Sequence, residues 1–152
     1  MRPVEEAAER VQAAVEAARN LPHDFVLTAR AENHIRGVTD LSDTIQRLQA
    51  FQEAGADVLY APGLQTLEDI RTVINAVDRP VNVLMGGATG FHTMAQLEEL
   101  GAKRISIGGA FASAAYSAFL RAATEVMEEG TFEFRKEATG GGQVSKLISG
   151  SA

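Results

Sequence analysis

The stretch TIQRLQAFQEAGADVLYAPG, Thr44 to Gly63, changes its hydrophobic period once, and that change decides the architecture. Ile45, Leu48 and Phe51 recur at helical spacing, and Gly55 stands where a left-handed residue ends a helix. From Asp57 to Ala61 the apolar residues run together, closed by Pro62-Gly63, as in a strand covered on both faces. A helix therefore passes through a Gly-Ala turn into a buried strand. A weaker copy, ELGAKRISIGG (Glu99 to Gly109), echoes EAGADVLYAPG (Glu53 to Gly63), in keeping with repeating units but short of proving duplication.

Working outward, the same alternation covers nearly the whole chain. Pro3, followed by Glu5 and Glu6, opens a helix with Val4, Ala8, Val11, Val15 and Ala18 on one stripe. A strand is expected from Asp24 to Ala31, and Asp40 or Ser42 caps the helix that enters the opening stretch. Downstream, Thr66 with Asp69 resembles a capping box ahead of Ile70, Val73, Ile74 and Val77. Pro80 leads into the strand VNVLM (Val81 to Met85), and a helix carrying Met94, Leu97 and Leu100 stops at Gly101. The last strand, Arg104 to Ile107, enters an Ala-rich helix running to about Glu129.

This order, one helix and then four rounds of strand and helix, calls for an α/β fold with a parallel sheet and right-handed crossovers. A small doubly wound sheet and half of a (β/α)8 barrel both fit, and both put function at the carboxyl ends of the strands. Residues 1–130 are expected to form this domain. Residues 131–152, with a triple glycine and weak periodicity, read as a C-terminal extension or arm.

Composition narrows the function classes. The 152 residues are 45% hydrophobic and 22% charged, enough for a core in one domain, and the net charge is −6. With no basic tract, nucleic acid and anionic membrane are poor partners. No apolar run approaches the roughly 20 residues of a membrane span. MRPVEEAAER does not resemble a secretory signal, so a cytoplasmic location is expected. The absence of cysteine excludes a disulfide, a thiolate nucleophile and a Cys-based metal site. His23, His34 and His92 lack metal-ligand spacing, and neither a nucleophile elbow nor a P-loop is present.

The chemistry gathers where the first strand ends. In FVLTARAENHIRG (Phe25 to Gly37), Val26, Thr28, Arg30 and Glu32 share one face of the strand, while Phe25, Leu27, Ala29 and Ala31 take the other. Arg30 offers a rigid fork of donors suited to a carboxylate, phosphate or phosphonate, or else pairs with an acid such as Glu32. Glu32, Asn33 and His34 either serve that site or form a solvated turn. Gly86-Gly87 and Gly108-Gly109, after the last two strands, could present backbone N–H groups to a phosphate, although paired glycines are also ordinary loop formers.

Taken together, DFVLTARAEN, TIQRLQAFQEAGADVLYAPG, RPVNVLMGG and LEELGAKRISIGGAFASAAYSAF resemble the isocitrate lyase / phosphoenolpyruvate mutase superfamily, from Val4 to about Phe134. Its carboxyvinyl-carboxyphosphonate phosphorylmutase-like and 2-methylisocitrate lyase-like members are nearest in texture. The resemblance implies a TIM (β/α)8 barrel, Mg2+ as cofactor, and enzymes making or breaking C–C or P–C bonds in small 2-oxo acids, carboxylates or phosphonates. It gives Arg30 the place of the strand-five arginine that grips the substrate anion, and Glu32 that of its acidic neighbour. Where many lyases of the family carry a glutamate after strand six, this chain has Pro62, which argues against isocitrate or methylisocitrate cleavage.

The likeness covers strands five to eight only. It implies that the carboxylates holding Mg2+, from strands two to four, and the lyases' cysteine loop lie outside it. No metal is therefore expected on this chain alone, and little activity. Four strands cannot close a barrel, so self-association into a homo-oligomer is expected, with Val26, Tyr60 and Leu84 on the buried face. The alternative is a non-catalytic phosphate-binding or interaction domain built on the glycine pairs.

Overall fold

A computed structural model describes residues 1–86 and 90–150 of the chain. It comprises two compact units, Met1–Gly108 and Gly109–Ala152. The first runs α1 (Val4–Arg19), β1 (Thr28–Arg30), a 3-10 turn (His34–Arg36), α2 (Leu41–Glu53), β2 (Val58–Tyr60), α3 (Leu67–Asn75), β3 (Val81–Leu84), α4 (Met94–Glu99) and β4 (Arg104–Ser106). The second holds α5 (Ala110–Thr124), a π-helical turn (Glu125–Glu129), a 3-10 turn (Glu133–Lys136) and α6 (Gly141–Ser149). Among the described residues no helix is long and apolar enough to cross a membrane.

All four strands are parallel and lie in the order β1-β2-β3-β4. A doubly wound sheet reverses its strand order at a switch point, whereas a barrel adds each strand beside the last. The unbroken order thus decides between the two architectures: this is half of a (β/α)8 arrangement. Right-handed crossovers in one direction put the connecting helices on one side of the sheet. Ala29, Leu59, Val81 and Val83 are buried in the core on that side, together with Leu48 and Phe51 of α2, Ile70 and Val73 of α3, and Leu97 of α4.

The helices begin where local chemistry starts them. Asp40 accepts a hydrogen bond from the Asp43 N–H at 3.0 Å, and Thr66 does the same for Asp69 at 3.0 Å. Thr93 and Gln96 complete a reciprocal capping box at α4. The end of α2 turns through Gly55, where an added Cβ would stand 3.2 Å from the Val15 side chain of α1.

The first strand is shorter than its apolar pattern. The ladder begins only where the Asp57 and Val58 N–H groups donate to the Leu27 carbonyl, at 3.0 and 3.1 Å. Before that point the Phe25 carbonyl accepts from Arg19 at 3.3 Å, and Phe25 and Val26 are exposed. Their hydrophobicity cannot create a ladder, because β2 does not extend far enough back to pair with them.

Asp57, at the entrance to β2, staples three segments together. Its carboxylate accepts from both Arg19 terminal nitrogens, at 2.5 and 3.2 Å, and from the Leu27 N–H at 2.8 Å. The Arg19 guanidinium, with help from the Leu27 N–H, holds this carboxyl below the usual carboxylate range against the opposing effect of burial. A depressed folded-state pKa gives stability that is present above the unfolded value and lost as pH falls through the folded one. Asp57→Asn should therefore cost about 1–2 kcal/mol at pH 7, the pair being partly solvated. Urea unfolding at pH 7 and pH 3 checks this: the variant should lose less stability on acidification than the parent. An equal loss would remove Asp57 from the acid-sensitive set.

Candidate functional site

The strand register builds a row across the open face of the sheet. Arg30 is level with Tyr60, Tyr60 with Asn82, and Asn82 with Arg104. In parallel strands, partners in register point to the same side, so these four side chains form one band. The guanidinium carbon of Arg30 lies 5.4 Å from the centre of the Tyr60 ring, within cation–π reach. Asn82 is 1% exposed: its amide donates to the Ser106 hydroxyl at 3.0 Å, and its oxygen accepts from Arg104 at 3.1 Å. Burial of that amide is offset by two partners.

At the carboxyl end of β1, Glu32 joins two cations. One of its oxygens pairs with Arg30 Nε, and the other lies 3.3 Å from Arg36 Nε. The Arg30 side chain is 46% exposed, and its Nη groups have no protein partner among the described residues. Arg30 is thus held from the side by Glu32 and from beneath by Tyr60, with its fork of donors still available.

Asn33 does not share that exposure. It is 0% exposed, its amide donates to Asp43 Oδ2 at 2.5 Å, and its carbonyl accepts from the Arg36 and Val38 N–H groups at 3.1 and 2.9 Å. Asp43 also accepts from Arg47 Nε at 2.7 Å, and Arg47 reaches the Arg2 carbonyl at 2.8 Å. The Arg47 guanidinium, and secondarily the Asn33 amide, keep the Asp43 carboxyl below its ordinary range despite burial. These contacts brace the loop that presents Glu32 and Arg36. The buried Asn33 Oδ1 and His34 Nε2 have no partner among the described residues.

That loop also rests on the turn after β2. Pro62, where the family resemblance would place a glutamate, is fully buried. Gly63 adopts φ +92°, and a Cβ there would stand 3.0 Å from His34 Cβ and from Ile35 Cγ2. Beside β1 opens a cleft of about 600 Å³ lined by Arg2, Arg30, Glu32, Arg36, Arg47 and Phe51, among others. Four guanidiniums and one carboxylate line it, which favours anions. Among the described residues no group of three or more His, Cys, Asp or Glu could hold a metal ion.

The glycine pairs are placed separately. Gly86 follows β3 and Gly108 follows β4, at the carboxyl ends of adjacent strands. Gly109 begins the second unit as the residue before α5, and Gly87 lies outside the described residues. Tyr60 was expected on this face of the sheet; Asn82, Arg104 and Arg36 were not singled out. Asn82 left one signal, a lone amide between Val81 and Val83 in an apolar run. Arg36 left none, because its role depends on a turn that returns it to Glu32.

The sequence profile of the family described as phosphoenolpyruvate phosphomutase matches residues 1–127. The 2-methylisocitrate lyase of Aeropyrum pernix is 31% identical over 129 residues, which cover 84% of this chain and 40% of that protein. A Burkholderia cenocepacia protein classed provisionally as a lyase/mutase superposes with a TM-score of 0.93 at 49% identity, over 97% of this chain and 53% of that one. An oxaloacetate acetylhydrolase in complex with its product oxalate shares the fold, with a TM-score of 0.81 at 22% identity, over 99% of this chain and 55% of that one. The chain spans about half the length of these proteins or less.

Proposed function

This chain belongs to the phosphoenolpyruvate phosphomutase family, and on that premise we propose that it supplies the anion-gripping half of a (β/α)8 enzyme site. In this reading the enzyme makes or breaks C–C or P–C bonds in a small 2-oxo acid, carboxylate or phosphonate. The observation that carries it is Arg30 at the carboxyl end of β1, backed by Tyr60 and Glu32 and with its outer donors free. A guanidinium fixed in this way takes a carboxylate or phosphonate in two parallel hydrogen bonds.

Each residue of the chain then has a limited task. Arg30 binds the anionic end, Glu32 holds Arg30 in the absence of the anion, and Asn33 braces the loop from within. The backbones at Gly86 and Gly108, after neighbouring strands, are available to a second anionic end. General acid–base and Lewis-acid chemistry needs groups beyond these. Mg2+, which would supply the Lewis acid, finds no fitting cluster among the described residues.

A four-stranded sheet with one uncovered face also supports pairing of two copies through that face. The match ending at residue 127 supports a half-barrel domain of about 1–130 followed by a C-terminal arm.

Isothermal calorimetry with oxalate, with light scattering on the same samples, tests the proposal. The parent chain should bind in the millimolar range, about −4 kcal/mol, and should scatter as a multiple of its 16.2 kDa. Arg30→Ala should weaken binding tenfold or more with little change in melting, since the side chain is half solvated. Unchanged oxalate affinity would make Arg30 purely structural. A mass of one chain would reject the pairing.

A further inference from the structure

Glu32 sits on Arg30 Nε, next to the Nη donors an incoming anion would take. Its carboxylate already sits on Arg30, the same cation that takes the ligand in the reading above, on which this inference rests. Its second oxygen is 3.3 Å from Arg36 Nε, on the next turn of the same loop. The other two guanidiniums lining the cleft have acids of their own: Arg2 pairs with Glu6, and Arg47 with Asp43. Glu32 is the only carboxylate lining the cleft among the described residues, and it is shared by two arginines. That triad carries one uncompensated positive charge.

We infer that Glu32 is an internal stand-in for the substrate anion, and that Arg36 is the cation that retains it when the anion takes Arg30. Two carboxylates on one guanidinium repel each other at close range. Binding at Arg30 is therefore an exchange: the ligand displaces Glu32, and the Glu32 carboxylate keeps its remaining contact to Arg36. The Arg36 side chain is 69% exposed, and Glu32 is the acid it pairs with, so it can follow Glu32 without breaking a second interaction. Asn33, whose carbonyl accepts from the Arg36 and Val38 N–H groups, holds the turn that keeps Arg36 within reach. Arg36 is thus a positioning residue acting through Glu32, and Glu32 sets the threshold an anion must exceed.

Oxalate calorimetry on four full-length proteins tests this: the parent, Glu32→Gln, Arg36→Gln and the double variant, each checked for an unchanged melting temperature. Removing the competing charge should tighten oxalate binding about threefold to tenfold in Glu32→Gln. Arg36→Gln should weaken binding by a similar factor when Glu32 is present and leave it unchanged when Glu32 is glutamine. A residue with a purely structural role would not show that dependence on background. Looser or unchanged binding in Glu32→Gln overturns the inference, and so does an Arg36→Gln effect of equal size in both backgrounds. Arg30→Ala separates the two levels. Retained binding there rejects the Arg30 grip itself, whereas lost binding there with no gain in Glu32→Gln rejects only the stand-in.

Discussion

Leu59→Ala is expected to lower the unfolding free energy by about 3–4 kcal/mol. Leu59 is 0% exposed in the middle of β2, with Ala29 and Val81 as its register partners on either side. Leu48, Ile70 and Val73 are buried in the same cluster. Hydrogen-bonded strands flank the position, so its neighbours cannot close in on the missing atoms, and a cavity term adds to the lost transfer energy. A domain of this size holds only about 5–15 kcal/mol in total, so the variant should approach unfolding at modest urea. Chemical denaturation gives the value directly. A loss under about 1 kcal/mol would mean that this face of β2 is not the core.

Gly63→Ala should cost about 2–4 kcal/mol and should also weaken oxalate binding. Two physical effects add. The backbone at φ +92° lies in the left-handed region that a Cβ resists, and the new methyl would stand 3.1 Å from the Ile35 backbone nitrogen as well as close to the His34 and Ile35 side chains. A backbone atom cannot turn aside as a flexible side chain can, so the strain passes into the loop bearing Glu32 and Arg36. Gly37 is an internal control: its φ is +77°, but nothing lies within 4 Å of the position. Gly37→Ala should cost only the conformational part, about 1 kcal/mol, and leave oxalate affinity alone. Equal costs at the two glycines would show that the loop yields and that the close packing is immaterial.

The helical stripe Ile45, Leu48, Phe51 and the caps Thr66 and Asp40, the latter offered beside Ser42, act over three or four residues, so they could be read directly and stand where expected. The strands were legible in position but not in length. Phe25 and Val26 have strand character and no ladder, because extent is set by a partner that the local sequence does not contain. The sequence likewise left a doubly wound sheet and a half-barrel both open, until the resemblance pointed to the barrel and the strand order agreed.

The site divides along the same line. Arg30 and Glu32 were visible because polar residues interrupt a buried run and stand two apart on one face. Asn33 looked equally polar, yet it is wholly buried and holds Asp43 across the start of α2.

By itself, the sequence determined the alternation of elements and the helix starts, because each follows from short-range periodicity or side-chain chemistry, and it singled out Arg30 at the strand end where an anion is proposed to bind. Tertiary structure alone decided the row Arg30, Tyr60, Asn82 and Arg104, the sharing of Glu32 between two cations, and the lean of the loop on Gly63. These depend on register and on side chains brought together by folding, which no local pattern encodes.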